Sequence, residues 1–233
     1  MPRKAKSEGI VTDLPGVAAV SRALNILCIF ENNDVKLSLA EIARRASMYK
    51  STVSRLAESL EAYNMLSRDD NGDYHLGVEL IRLGALARRS VGGYTNINAT
   101  LRQLMEKTGE SATYYVRRGN HRLALYRVDS PKSIRDHIRV GDLLPLDLGA
   151  AGRVLSVSSA AENTSNLFQT VLSMGERDAE VAAVAGPIYS NGDVTAALSV
   201  SGPITRFTAK NVASIAKIVE QKCRYLSSLL AAE

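Results

Sequence analysis

Apolar residues recur at helical spacing between Leu39 and Leu60, with one interruption. Leu39, Ile42, Ala43 and Ala46 fall on one face of a first short helix, and Val53, Leu56, Ala57 and Leu60 on one face of a second. Ser38 and Glu41 form the S-x-x-E pattern, in which a hydroxyl satisfies a free N–H at a helix start. Ser47, Met48 and Tyr49 leave room for a turn. The periodicity then points Lys50, Ser51, Thr52, Ser54 and Arg55 outward from the first turns of the second helix, the place from which a recognition helix reaches base edges. Asn71-Gly72, between a segment holding Leu66 and one holding Tyr74 and Leu76, is a strong two-residue hairpin signal. Helix, turn, helix and hairpin in that order make a winged helix, whose wing would carry Arg68, with His75 as a further candidate, toward a phosphate backbone. A small helical packing module with a solvated charged face is the alternative this pattern leaves open.

Upstream, 17–31 reads as a helix with Val17, Val20, Leu24, Leu27 and either Ile29 or Phe30 inward, entered through Pro15-Gly16. Arg22 lies on its exposed side, where a phosphate contact and an ordinary surface position are equally open. Beyond the hairpin, 78–89 is helical, with Leu80, Leu83 and Ala87 inward and Arg82, Arg88 and Arg89 outward, up to Gly92-Gly93. A further helix over 96–107 stops at Thr108-Gly109, a glycine stop signal.

The pattern then changes from helical to alternating. Segments 111–118 and 122–129 read as strands joined by Gly119-Asn120, 134–140 as a third strand, and 181–189 and 193–201 as two more around Asn191-Gly192. Short and long helices are expected at 149–157 and 210–231. Consecutive hairpins with helices at both ends predict an α+β domain with an antiparallel sheet. The expected organisation is a flexible basic arm at 1–14, a winged helix–turn–helix at 15–77, a linker helix at 78–93 and a second domain at 94–233.

One strand face is unusual. Ala196, Leu198 and Val200 alternate with Thr195, Ala197, Ser199 and Ser201. A face of small and hydroxyl residues either meets solvent or lines a cavity with donors and acceptors. Gly149-Ala150-Ala151-Gly152 would let a ligand approach the free N–H groups of a helix start, a natural place for an anion.

Composition narrows the classes. The 233 residues are 45% hydrophobic, enough for packed cores, and no apolar run approaches a membrane span. The basic N-terminus is not followed by an apolar signal core, so a cytoplasmic protein is expected, on the nucleoid when bound to DNA. A net charge of +5 and a pI near 9.2 permit a nucleic-acid partner. Local charge says more: from Leu39 to Ala57, Arg44, Arg45, Lys50 and Arg55 face only Glu41. Cys28 and Cys223 are far apart, and His75, His121 and His137 are scattered, so neither a metal site nor a cofactor is expected. The motifs of serine hydrolases, P-loop proteins and zinc peptidases are missing, so no catalytic residues are assigned.

Several stretches resemble the IclR family of bacterial transcriptional regulators: Val20-Ser-Arg-Ala-Leu-Asn-Ile-Leu, Leu39-Ala-Glu-Ile-Ala-Arg-Arg-Ala, Lys50-Ser-Thr-Val-Ser-Arg-Leu, Tyr74-His-Leu-Gly, Thr108-Gly-Glu-Ser-Ala, Gly175-Glu-Arg-Asp, Val184-Ala-Gly-Pro-Ile-Tyr and Ala197-Leu-Ser-Val-Ser-Gly-Pro-Ile. The resemblance runs from about Val17 to the C-terminus. It implies a winged helix, a linker helix and a GAF-like effector domain, assembled as homodimers or dimers of dimers on a near-palindromic double-stranded operator. DNA contacts are then expected among Arg22, Ser38, Arg44, Arg45, Tyr49, Lys50, Ser51, Thr52, Ser54, Arg55 and Arg68. An effector, a small carboxylate with an apolar or aromatic body, is expected against Leu144, Gly149, Ala150, Ala151, Gly152, Ser173, Val181, Ala183, Ser199 and Ser201. The chain departs from the family at three places: Ser47 and Tyr49 stand where its turn carries Gly and Pro, Arg153 stands where a lysine is usual, and the segment from Arg153 to Gly175 is shorter. The last departure leaves an alternative, a sensor domain that binds no ligand and serves only assembly.

Overall fold

The computed structural model describes residues 16–31, 33–90, 94–157 and 167–230. The chain divides into two compact units between Ser90 and Val91. The arm expected at 1–14, the Gly92-Gly93 stop and 158–166 lie outside the described residues.

The first unit runs α1 (Ala18–Cys28), α2 (Leu39–Arg45), α3 (Lys50–Ala62), β1 (Leu66–Arg68), β2 (Tyr74–Leu76) and α4 (Val78–Ser90). Ile42 and Ala43 of α2, Val53, Ala57 and Leu60 of α3, Leu66 and Tyr74 of the wing, Leu37 and Ile26 share one core. Each fully buried Ile or Val here contributes roughly 1.5–3 kcal/mol. Ser38 caps α2 as the spacing predicts, its Oγ accepting from the Glu41 N–H at 3.2 Å. Ser47 takes the left-handed conformation of the turn (φ 52°), a region disfavoured by roughly 1–2 kcal/mol for a residue with a Cβ.

Three expectations are corrected. In α4, Leu83 and Ala87, expected inward, are exposed. α1 does not bury Val17, Val20 and Leu24, which are 68%, 55% and 54% exposed. The helix carries two apolar stripes, and the one with Ala23, Ile26 and Leu27 faces the core, continued by Ile29 and Phe30. Periodicity marks both stripes and cannot rank them. The wing loop is also wider than a two-residue hairpin: Arg68 pairs with Tyr74, so 69–73 form the turn. Asp69 closes it, its Oδ1 accepting from the N–H groups of Asn71 (3.0 Å) and Asp73 (2.9 Å). Lys36 bridges Asp69 and Asp73.

The second unit contains α5 (Tyr94–Thr108), β3 (Ser111–Arg118), β4 (His121–Val128), β5 (Leu143–Pro145), α6 (Ala150–Ser156), β6 (Val171–Met174), β7 (Val181–Ser190), β8 (Asp193–Pro203) and α7 (Ala209–Leu230). The sheet is antiparallel in the order β5-β4-β3-β8-β7-β6, giving an α+β architecture. Asn191 and Gly192, both at positive φ, form the β7–β8 turn as their sequence predicts. The strand expected at 134–140 does not form; that stretch is irregular, and the strand pairing with β4 is Leu143–Pro145. β6 was not expected.

The two faces of this sheet differ. One packs Ala112, Tyr114, Leu198 and Val200 against Leu101 and Leu104 of α5 and Val219, Cys223 and Leu226 of α7. The other sets Tyr115, Ala124, Ala185 and Ala197 under Ala150, Ala151, Val154 and Leu155 of α6. A bulge between Tyr114 and Tyr115 shifts the parity of β4, so that Ala124 opposes Tyr115 and Tyr126 opposes Tyr114. Arg122 and Arg127, at odds in sequence parity, thereby share the α6 face.

One ion-pair group ties the first unit together. Arg45 donates from Nη1 to Asp34 Oδ2, from Nη2 to Asp34 Oδ1 at 3.2 Å and from Nε to Glu41 Oε1 at 2.7 Å, and Nη1 also reaches the Ile29 carbonyl at 3.3 Å. Hydrogen bonds first from Arg44 and then from Arg45 hold the Glu41 carboxyl at about 2. Burial opposes ionisation of Asp34, but the bonds from Arg45 and the Glu31 N–H outweigh it and keep its carboxyl below the usual range. Both folded-state values are depressed, so the stabilisation is complete above the unfolded value near 4 and is lost as pH falls toward 2. Thermal melts of the first unit should therefore fall steeply between pH 4 and pH 2. At pH 7, Arg45→Met should cost about 1–3 kcal/mol by leaving Asp34 poorly paired. A flat acid profile in wild type, or an unchanged melting temperature in the variant, would remove this group from the folding account.

Candidate functional site

The outer candidate surface lies on α2, α3 and the wing. Tyr49 is the N-cap of α3, with no side-chain capping bond, and it is 85% exposed. Lys50, Ser51 and Arg55 follow on the exposed side, while Thr52 and Ser54 are half-buried at its edge. Among the described residues, Lys50, Arg55 and Arg22 make no ion pair, so their charges face outward uncompensated. Arg44 is exposed but pairs with Glu41 through both Nε (2.8 Å) and Nη2 (2.6 Å). Arg45, expected to be an exposed base, points inward into the Asp34 and Glu41 pairing. Arg68 is exposed on the wing, donates to the Gly72 carbonyl at 3.3 Å and lies 5.4 Å from the Tyr74 ring centre. His75 turns back to the Val35 carbonyl (3.1 Å) and Asp69 (3.4 Å) rather than outward.

The inner candidate site lies between the sheet and α6. Strand register builds its floor: Ser173 of β6, Ala183 of β7 and Ser201 of β8 form one row across the sheet, and Ala185, Ser199 and Thr113 of β3 the next. Ser173, Ser199 and Ser201 are all buried, so the hydroxyl face lines an interior. Gly149, Ala150, Ala151, Ser173, Val181, Ala183, Ser199 and Ser201 border a cavity of about 30 Å³. Leu144 and Gly152 do not border it. Leu144 pairs with Arg122 in the ladder, and a Cβ on Gly152 would stand 2.3 Å from the Leu146 carbonyl oxygen and 2.7 Å from Arg122 Nη1. Gly152 is the clearance that seats α6 on Arg122.

Sequence reasoning missed Tyr115, Arg122, Asp136, Ile138 and Arg177, which complete the wall. Asp136, 3% exposed, accepts from Arg177 Nη2 at 2.7 Å and from the Ser201 hydroxyl at 2.9 Å, while its backbone carbonyl accepts from Arg127 at 2.8 Å. Arg122, also 3% exposed, donates from Nη1 to the carbonyls of Pro145 and Leu148, and its guanidinium lies 5.6 Å from the Tyr115 ring centre. Burial pushes its pKa down from the ordinary arginine value. Arg153, which stands where the family usually has a lysine, is outside this wall: it is exposed, pairs with Glu176 at 3.0 Å and donates to the Leu172 carbonyl. Glu176 also accepts from the Gly149 N–H at 3.2 Å, so the chain's own carboxylate meets the start of α6. The parity shift at the β4 bulge hid Arg122, and the irregular backbone at 131–142 hid Asp136.

Among the described residues no group of His, Cys, Asp and Glu is placed to hold a metal, and no helix is long and apolar enough to cross a membrane. A family model described as the IclR helix-turn-helix domain matches residues 19–70, and one described as the bacterial transcriptional regulator IclR C-terminal matches 90–174 and 170–228. The transcriptional regulator BhcR of Paracoccus denitrificans is 27% identical over 92% of this chain and 88% of its own length. The transcriptional repressor AllR of Escherichia coli K12 is 24% identical over 92% of this chain and 91% of its own. Both alignments run to 246 positions, more than the chain has residues, so these relatives carry residues with no counterpart here. Among solved structures, an IclR transcriptional regulator from Alicyclobacillus acidocaldarius superposes with a TM-score of 0.82 at 24% identity, over 92% of this chain and 99% of that one. An IclR homologue from Microbacterium hydrocarbonoxydans, solved in complex with 4-hydroxybenzoate, gives 0.71 at 21%, over 92% and 100%. The fold, the polar face of α3 and these matches over both units lead to one assignment: the chain belongs to the IclR family of transcriptional regulators.

Proposed function

We propose that this regulator binds an operator through α3 and the wing, and that a small organic acid in the cavity under α6 controls that binding. The observation that carries the first half is the start of α3, where Lys50, Ser51 and Arg55 stand exposed on a helix fixed by the buried Val53, Ala57 and Leu60. A side chain presented on a rigid helix loses little freedom on binding, and an arginine there suits bidentate contact with guanine. Tyr49, Thr52 and Ser54 flank it. Arg22, Arg44 and Arg68 serve phosphates, which position the module without reading sequence. Arg45 leaves this set, because its guanidinium is spent on Asp34 and Glu41.

Pairing follows from the same unit. Val17, Val20 and Leu24 of the α1 region and Val78, Ile81 and Leu86 of α4 are exposed apolar residues, and a lone winged helix reads too few base pairs for genomic specificity. A homodimer on a near-palindrome accounts for both. The second half rests on the buried hydroxyl and charged groups around the cavity, and the relative solved with 4-hydroxybenzoate supports an acid as ligand. A sensor unit that only assembles is the second reading, favoured by the small cavity volume.

Arg55→Ala should lose operator preference more than general DNA affinity, by roughly 1–3 kcal/mol of base discrimination; an unchanged consensus in selection from random DNA would sink the assignment. Arg22→Ala or Arg68→Ala should instead weaken all sequences alike and lower the salt slope by about one unit. Sedimentation of the full chain should give a dimer at micromolar concentration, and a monomer with and without DNA contradicts the pairing. A screen of carboxylates by thermal melting should find acids that stabilise wild type. Ala151→Leu, which adds bulk where α6 borders the cavity, should abolish that stabilisation while leaving operator binding intact. If no acid stabilises wild type, the assembly-only reading takes its place.

A further inference from the structure

The second unit has another opening, which shares no lining residue with the cavity under α6. It is an open cleft of about 380 Å³ between the end of α5, the stretch after β4 and the start of α7. That volume lies within the range of small-molecule sites, roughly 300–1,000 Å³. Charge inside the cleft is unbalanced. Glu110, 3% exposed, is the acidic residue of its lining, and a buried carboxylate needs one counter-ion. Arg206 supplies it as a fork, from Nε to Oε1 and from Nη2 to Oε2, both at 2.6 Å. Lys132 adds a second positive charge, 2.9 Å from Oε1. Lys107, in the last turn of α5, adds a third and makes no ion pair or hydrogen bond with another described residue. Burial first, and the Lys107 charge second, push the ammonium of Lys222 on α7 below its ordinary pKa, so the Lys107 charge is felt across the gap between the helices. Lys132 and Arg206 keep 44% and 28% of their side-chain surface exposed. Among the described residues Arg206 Nη1 has no partner, and Lys132 spends its ammonium on Glu110 alone, so donors remain open to a ligand.

We propose that this cleft is a second ligand site, and that it takes a small phosphate monoester with a polyhydroxyl body, the chemistry of a sugar phosphate. The proposal stands apart from the effector reading above. Three bases against one acid leave two surplus positive charges, which match the nearly double negative charge of a phosphate monoester at neutral pH. Lys107, Lys132 and Arg206 come from three separate segments, so their donors approach from different sides, as suits a tetrahedral anion better than a flat carboxylate. Lysine serves phosphate as a point charge and needs no forked geometry for it. The rest of the lining suits a polyol. Thr205, Asn211 and Ser214 are exposed and offer hydroxyl and amide groups, while Ile215 and Ile218 supply apolar surface for the carbon skeleton.

Calorimetry on the whole chain with glucose 6-phosphate, inorganic phosphate, glucose and succinate tests this, using wild type, Lys107→Met, Lys132→Met, Ala151→Leu and Arg55→Ala. Glucose 6-phosphate should bind wild type most tightly, and glucose at least about tenfold more weakly. Lys107→Met and Lys132→Met should each lose roughly three- to tenfold in affinity for glucose 6-phosphate, between the worth of an exposed ion pair and that of a charge-assisted hydrogen bond. Ala151→Leu and Arg55→Ala should bind it as wild type does, since they alter the cavity under α6 and the outer face of α3. Lys107 is exposed at the end of α5, so its variant decides the matter if Lys132→Met fails to fold, together with the glucose comparison, which needs no variant. Binding lost in Arg55→Ala would put the phosphate on the face of α3, and binding lost in Ala151→Leu would put it in the cavity; either overturns the assignment. Binding unchanged in both lysine variants, or no binding to wild type, overturns it as well. Succinate binding as tightly as glucose 6-phosphate would overturn the phosphate class, and inorganic phosphate doing so would overturn the polyhydroxyl body.

Discussion

Arg122 lies in the layer between the sheet and α6, and the small residues on both sides exist around it. A guanidinium taken out of water is costly unless its donors are met. Here the chain turns two carbonyls toward Nη1, those of Pro145 and Leu148, and in doing so shapes the stretch between β5 and α6. The helix can then come down on the sheet only where it carries no side chain, at Gly152. On the sheet side Ala183, Ala185, Ala197 and Ser199 keep the layer open, because larger residues at these positions would fill it. The opposite face has no such group to accommodate and packs Leu, Val and Tyr in the ordinary way. One buried charge thus separates a sheet face packed with large apolar side chains from one lined by small and hydroxyl residues around a cavity.

The first unit uses arginine the other way. Arg45 is spent on Asp34 and Glu41, with side chains 18%, 15% and 31% exposed, and joins the start of α2 to the end of α1 through the Ile29 carbonyl. That leaves the basic residues of the module in distinct states. Arg45 is a strut, Arg44 is half engaged by the same Glu41, and Lys50, Arg55 and Arg22 carry charges that no acid among the described residues pairs. A base already satisfied gains little from a phosphate, whereas an uncompensated one on a rigid helix gives up only water and counterions. The position of a basic residue in the sequence therefore says less about DNA than the acid beside it in space, and Asp34 is remote from Arg45 along the chain.

The sequence by itself determined the local elements. The cap at Ser38, the two helices with their turn, the Asn191-Gly192 hairpin and the closing helix all follow from interactions between neighbours along the chain, and each stands where the spacing predicts it. The family resemblance, carried by motifs in both units, is likewise a property of the linear text. Tertiary structure decided what depends on residues distant in sequence. Which apolar stripe of α1 is inside was set by where α2 and α3 present their own apolar sides. Which face of β4 holds Arg122 was set by a bulge in the pairing with β3, because one extra residue inverts the parity on which alternation relies. The strand expected at 134–140 gave way to irregular chain whose Asp136 is held by Arg177 and Ser201, partners 41 and 65 residues away in sequence. Periodicity reports how a residue relates to its own element, while charge compensation and face selection are settled between elements, and there the site is made.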